Sequence, residues 1–136
     1  MDDEIFRVYP DREKARSILK MVETRLEMIK TLDAGRFASL IVEEYYDVIK
    51  ELITAILLLD GFKTLSHVAL IEYMRKNKRG LPEHGISLID ELRAIRNRIT
   101  YDGFFVREDY LGRKRKGIAL VIGKLKSLAE NGLKQK

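Results

Sequence analysis

The sequence predicts an all-α fold, an antiparallel bundle of four or five helices forming a single domain over residues 1–136. Apolar side chains recur at intervals of three and four along most of the chain, the period that gathers them on one face of a helix. Only two prolines occur, and alternating runs of Val, Ile and Thr are scarce, so strands are not expected. Cysteine is absent, which excludes a disulfide framework and any thiolate metal site. The bundle therefore depends on its hydrophobic core, and a chain of this length is large enough to bury one.

Asp11 is a good N-cap for a first helix in which Ala15, Ile18, Leu19, Val22, Leu26 and Ile29 keep register. This helix is expected to end near Leu32, with Gly35 breaking the pattern. A second helix follows from about Arg36 to Leu59, its stripe formed by Phe37, Leu40, Ile41, Tyr45, Val48, Leu52, Ile56 and Leu59. From Leu52 to Leu58 it is apolar almost all round, which predicts the central and most buried helix. Asp60-Gly61 supplies its stop. Thr64 or Ser66 caps a shorter third helix carrying Val68, Ile71 and Met74. Residues 76–85, rich in Gly, Pro and Asn and basic at Lys76, Lys78 and Arg79, read as a loop. Gly85 or Ser87 opens a fourth helix with Leu88, Leu92, Ile95 and Ile99 in phase, ended by Asp102-Gly103. The last helix is expected from about Arg107 to Glu130. It carries Leu111, Ile118, Val121, Ile122, Leu125 and Leu128 despite Gly112 and Gly117, each of which costs roughly 1 kcal/mol against Ala.

Several function classes find no support. The acidic start, Met1-Asp2-Asp3-Glu4, lacks the basic and apolar regions of a signal peptide. The apolar stretch from Leu52 to Leu59 is interrupted by Thr54 and is too short to span a bilayer, so a cytoplasmic protein without membrane association is expected. No Gly-rich loop has phosphate-cradling spacing. His67 and His84 lie far apart without carboxylates patterned around them, so neither a metal nor a cofactor is expected, and both read as surface histidines. Glu43 and Glu44 are adjacent and point about 100° apart on a helix, so they do not form a paired-carboxylate site.

Charge is distributed unevenly. The net charge is +5, yet residues 1–92 hold 14 Lys and Arg against 17 Asp and Glu, while residues 93–136 hold 12 against 4. A basic final third points to a polyanionic partner, nucleic acid first, or to a surface charged only for solubility. Its densest part, Arg113-Lys114-Arg115-Lys116, would spray around a helix as a positive knob that contacts phosphates or simply meets solvent.

At the end of the fourth helix stands Arg96-Asn97-Arg98-Ile99-Thr100-Tyr101. Arg96 falls at the edge of the apolar stripe, beside Ile89, with Asn97 and Arg98 further out. Such an arginine either lays its stem along its neighbours and sends its head to water, or is held against packed surface to bind phosphate bidentately. This motif follows a long second helix containing Glu43-Glu44-Tyr45-Tyr46 and Leu57-Leu58-Leu59-Asp60-Gly61-Phe62. Together they resemble the HEPN family (higher eukaryotes and prokaryotes nucleotide-binding) of small helical bundles, over nearly the whole chain. The family's signature is an Arg, often followed by Asn or another polar residue, then four to six residues and a His near the end of a late helix. Arg96 and Asn97 match it.

The resemblance implies homodimers whose motifs face a shared cleft, RNA or nucleotide binding, and in many members metal-independent RNA cleavage. For prokaryotic members it implies a toxin paired with a minimal nucleotidyltransferase, which in one subgroup transfers AMP to a Tyr two residues beyond the His. Here the His position holds Tyr101 and the later Tyr position holds Gly103. Cleavage needs a group that titrates near neutrality. An imidazole, at about 6.5, suits the task, whereas a phenol, at about 10, is ionised only to roughly one part in a thousand at pH 7. Arg96 and Tyr101 are the candidate catalytic residues. Arg96, Asn97, Arg98, Arg113, Lys114, Arg115 and Lys116 are the candidate nucleotide- or RNA-binding residues. Tyr101 could instead stack on a base, accept AMP or pack at a dimer seam. Three functions stay open: a catalytically degenerate RNA- or nucleotide-binding dimer, a metal-independent endoribonuclease toxin using Tyr101 or a histidine from elsewhere, and a helical adaptor.

Overall fold

A computed structural model of the chain describes residues 4–77 and 80–135. Its order is β1 (Ile5–Arg7), α1 (Arg12–Lys30), α2 (Ala34–Asp60), β2 (Phe62–Thr64), α3 (His67–Asn77), α4 (Glu83–Asp102) and α5 (Glu108–Lys134). The fold is all-α, and α2 is its axis, packed against α1, α3, α4 and α5. The apolar run that marks α2 as central is buried throughout: Leu52, Ile53, Ala55, Ile56, Leu57 and Leu58 all lie in the core. From α1, Ala15, Val22 and Ile29 join them; from α4, Ile89 and Leu92; from α5, Leu111, Ile118 and Leu125. No helix among the described residues is long and apolar enough to cross a membrane.

Capping side chains set the helix starts. The Asp11 carboxylate accepts a hydrogen bond from the Lys14 amide at 3.0 Å, as its position before α1 predicts. Asp33 does the same for α2, accepting from the Arg36 amide at 3.1 Å. Gly35 therefore does not break a helix but sits in the first turn of α2. Phe37, with φ −114° and ψ 23°, then kinks that helix. Leu40 belongs to the expected α2 stripe but is 51% exposed. Ala38, Ile41 and Val42 take the inward positions of that turn, and Leu40 lies about 100° round from Ile41. Of the two candidate caps for α3, Ser66 is the one used: its hydroxyl accepts from the Ala69 amide at 3.0 Å.

Three expectations are corrected. Strands do occur: β1 pairs antiparallel with β2, setting Ile5 opposite Thr64 and Arg7 opposite Phe62. The ribbon exists because Gly61 ends α2 in the left-handed region, at φ +89°, and sends the chain back extended. The Val8 amide donates to the Gly61 carbonyl at 2.9 Å, pinning the N-terminal segment beside that turn. Three-residue strands are too short to leave a period in the sequence. The loop over 76–85 is shorter than expected, since α4 begins at Glu83, with Pro82 as its N-cap and no capping side chain. Gly85 is thus inside α4 and buried; a Cβ there would stand 3.3 Å from Leu81 and 3.5 Å from Val121, so its bareness lets α4 approach α5 closely. At the other end, α5 runs to Lys134, one turn past Glu130, where the carbonyls of Gly132 and Leu133 accept hydrogen bonds from the Arg12 guanidinium of α1. Met1, Asp2, Asp3, Lys78 and Arg79 lie outside the described residues.

Candidate nucleic-acid interface

The fourth helix carries the arginine motif, and the bundle gives its faces different neighbours. Toward α2 and α3, Arg96 is half-buried near a polar pair that no local pattern announces: Tyr46 of α2 and His67 of α3 are hydrogen-bonded, phenolic oxygen to Nδ1, at 3.1 Å. Their rings lie 5.7 Å apart, tilted by 34°. His67 is therefore not a free surface histidine. Its ring is half-buried because α3 begins against the middle of α2. His84 is exposed, as expected.

Electrostatics ties Arg96 to this pair. Burial raises the Tyr46 phenol to about 12, opposed by the charges of Arg93 and Arg96. The His67 imidazole is pulled below its ordinary value, first by burial and then by the positive charges of Lys50 and Arg96, against which Asp47 acts. Arg93 is itself held by Asp90, Nε to carboxylate, at 3.0 Å. Arg96 makes no ion pair among the described residues.

A pH dependence follows with a definite sign. Folding favours neutral His67, so below about pH 6.5 the unfolded chain binds a proton that the folded chain resists. The His67 contribution to stability is whole above that pH and is lost as pH falls from there toward the folded value. Denaturant midpoints measured from pH 7.5 to 5 should decline, and His67→Gln should flatten the part of the slope that His67 supplies. A slope unchanged by the substitution would assign the decline to other groups.

On the face toward α5, Arg98 is exposed, with its guanidinium 3.8 Å from the centroid of the Phe104 ring. Asn97 is half-buried between the two directions. Tyr101 is 77% exposed in the last turn of α4. Five positions after Arg96, it points about 140° away around the helix, so the two candidate catalytic side chains do not converge within one chain. The turn that carries Tyr101 is anchored by Thr100, whose hydroxyl donates to Glu43 of α2 at 3.2 Å.

The basic tract on α5 is not one knob. Arg113 lies 5.7 Å from the Tyr110 ring. Lys114 pairs with Glu91 of α4 at 3.4 Å, and Arg115 donates from Nε to the Tyr45 hydroxyl of α2 at 3.0 Å. Lys116 is exposed. Neighbouring helices have divided four consecutive cations among separate tasks, two of them structural. Glu91 also accepts the Tyr110 hydroxyl, and burial together with this bond pushes the Tyr110 phenol far above its usual range.

Arg98 and Arg113 do share a cleft. They flank a cleft of about 310 Å³ between the end of α4 and the start of α5, which Phe104, Arg107, Asp109 and Tyr110 also line. Among the described residues, no group of three or more His, Asp and Glu side chains is placed to hold a metal ion. The fold and this cation-bearing face define the chain as an all-α bundle with a candidate anion-binding surface. No protein-family model matches the chain, and no curated protein or solved structure shows significant similarity to it.

Proposed function

We propose that the chain is a HEPN-like RNA- or nucleotide-binding module, acting as a homodimer in the cytoplasm and catalytically degenerate at its motif. The observation that carries this reading is the state of Arg96. It is half-buried, without an ion pair among the described residues, whereas the other half-buried arginines each hold an oxygen: Arg25, Arg75 and Arg93 a carboxylate, Arg12 the carbonyls at the end of α5, and Arg115 the Tyr45 hydroxyl. A guanidinium partly removed from water and left uncompensated favours an anionic ligand, and its planar fork matches phosphate. By its HEPN resemblance the module would pair with a minimal nucleotidyltransferase in a toxin–antitoxin arrangement, with Tyr101 as a solvent-facing AMP acceptor or stacking ring.

The reading is tested with a labelled single-stranded RNA. Retention should be measurable at about 50 mM salt and fall steeply by about 200 mM. Arg96→Ala should weaken it about tenfold, the loss expected of a charge-assisted phosphate contact. Tyr101→Phe should leave the RNA intact and change affinity at most. No affinity for RNA or nucleotides at low salt would sink the proposal and leave a helical adaptor.

One observation favours a second reading, a metal-independent endoribonuclease: His67 and Arg96 share a neighbourhood, so an imidazole from α3 could serve where the motif has Tyr101. Cleavage of RNA in the presence of a chelator, abolished by His67→Ala, would establish that activity in place of the degenerate one.

A further inference from the structure

We infer that the cleft between α4 and α5 is a second nucleic-acid contact, taking one phosphate of a single strand on Arg98 and Arg113 and stacking the neighbouring base on the exposed ring of Phe105. The inference rests on the RNA-binding reading and extends it to a surface apart from Arg96. Four observations converge here.

Three guanidiniums, Arg98, Arg107 and Arg113, line one cleft against one carboxylate, Asp109. Arg107 already holds Asp109, Nε to carboxylate, at 3.1 Å, which leaves Arg98 and Arg113 without an ion pair among the described residues. Arg98 is laid on the Phe104 ring at 3.8 Å, whereas Arg113 stands 5.7 Å from the centroid of Tyr110. A guanidinium stacked on a ring has its plane fixed and its N–H edges free, so less conformational freedom is lost when it grips a phosphate. Finally, Phe105, which lies between the lining residues Phe104 and Val106 without lining the cleft itself, is 82% exposed, an apolar ring in water on which the base next to a bound phosphate stacks.

Geometry and chemistry favour a single strand. A cleft of about 310 Å³ has the size of a small-ligand site and admits one nucleotide unit, not a duplex. Cations interleaved with rings are what single-strand readers use, the cations for the backbone and the rings for unstacked bases. An acidic peptide would satisfy the arginines but leave the exposed Phe105 ring without a role.

The test uses the full chain and a fluorescent hexauridylate. Arg98→Gln combined with Arg113→Gln keeps part of each stem and removes both charges. It should weaken binding tenfold or more and lower the slope of log affinity against log salt by about 0.7, one single-strand phosphate's worth. Lys124→Gln removes an exposed cation of α5 outside the cleft and should change affinity less than threefold. Far-ultraviolet circular dichroism melts confirm that each variant folds, and Arg113→Gln alone, which leaves the Phe104 stack untouched, serves if the double variant does not. Affinity unchanged in the double variant while wild type binds would overturn the cleft and spare the Arg96 reading. Affinity lost in the cleft variants but unchanged in Arg96→Ala would support the cleft and overturn the Arg96 reading. No binding by wild type overturns both. Hexaglutamate competing as well as hexauridylate would overturn the choice of nucleic acid and point to an acidic protein.

Discussion

Leu52→Ala should destabilise the chain by about 2–5 kcal/mol and lower the thermal midpoint by roughly 7–17 °C. Leu52 is fully buried at the middle of α2, one turn from the fully buried Ile49 and Ile56. Because α2 packs against four other helices, the void left by the missing methyls has walls from several elements and cannot close by the shift of one. Leu40→Ala, on the same helix and in the same apolar stripe of the sequence, should change stability by no more than about 0.5 kcal/mol, because Leu40 faces solvent. Thermal and denaturant unfolding of the pair would show the contrast. Equal costs at the two sites would contradict the placement of α2.

Gly61→Ala should cost about 2 kcal/mol, and Gly103→Ala about 1 kcal/mol, although both glycines end a helix in the left-handed region. Their φ angles are +89° and +65°. The common part of the cost is the crowding of any Cβ against its own backbone at positive φ. The difference is tertiary. A Cβ at Gly61 would sit 3.1 Å from the Val8 carbonyl oxygen, within the segment hydrogen-bonded to the end of α2, whereas a Cβ at Gly103 meets nothing within 4 Å. Relief of that contact would move the β1–β2 ribbon, so loss of amide protection at Val8 should accompany Gly61→Ala. Equal costs would mean that the ribbon yields freely.

The RNA-binding proposal and the cleft draw on the same feature of the chain, a basic final third, but at different levels. Excess positive charge after residue 92 is visible in composition. Which cations remain uncompensated is decided by neighbours. Lys114 and Arg115 look interchangeable with Arg113 in a run of four, yet Glu91 and Tyr45 engage the first two and leave Arg113 facing the cleft. Arg96, Asn97 and Arg98 are three letters of one motif that face different parts of the structure, because successive residues on a helix turn by about 100°.

Much of the bundle was legible because helices are written in short-range terms. Caps act over three residues and apolar stripes repeat every three or four, so Asp11, Gly61 and Gly103 mark helix ends, Thr64 and Ser66 stand as alternative caps for α3, and Leu52 to Leu58 mark the core, before any packing is known. What the linear order does not contain is contact between residues far apart in it. Tyr46 meets His67 across 21 positions, Glu43 meets Thr100 across 57, and Tyr45 meets Arg115 across 70. The ribbon at the foot of α2, the burial of His67 and the cleft beside Phe104 all depend on how the helices settle against one another. That settling is governed by non-directional burial of apolar surface, which fixes which faces turn inward but leaves the pairing of the polar groups at their edges to the packed geometry.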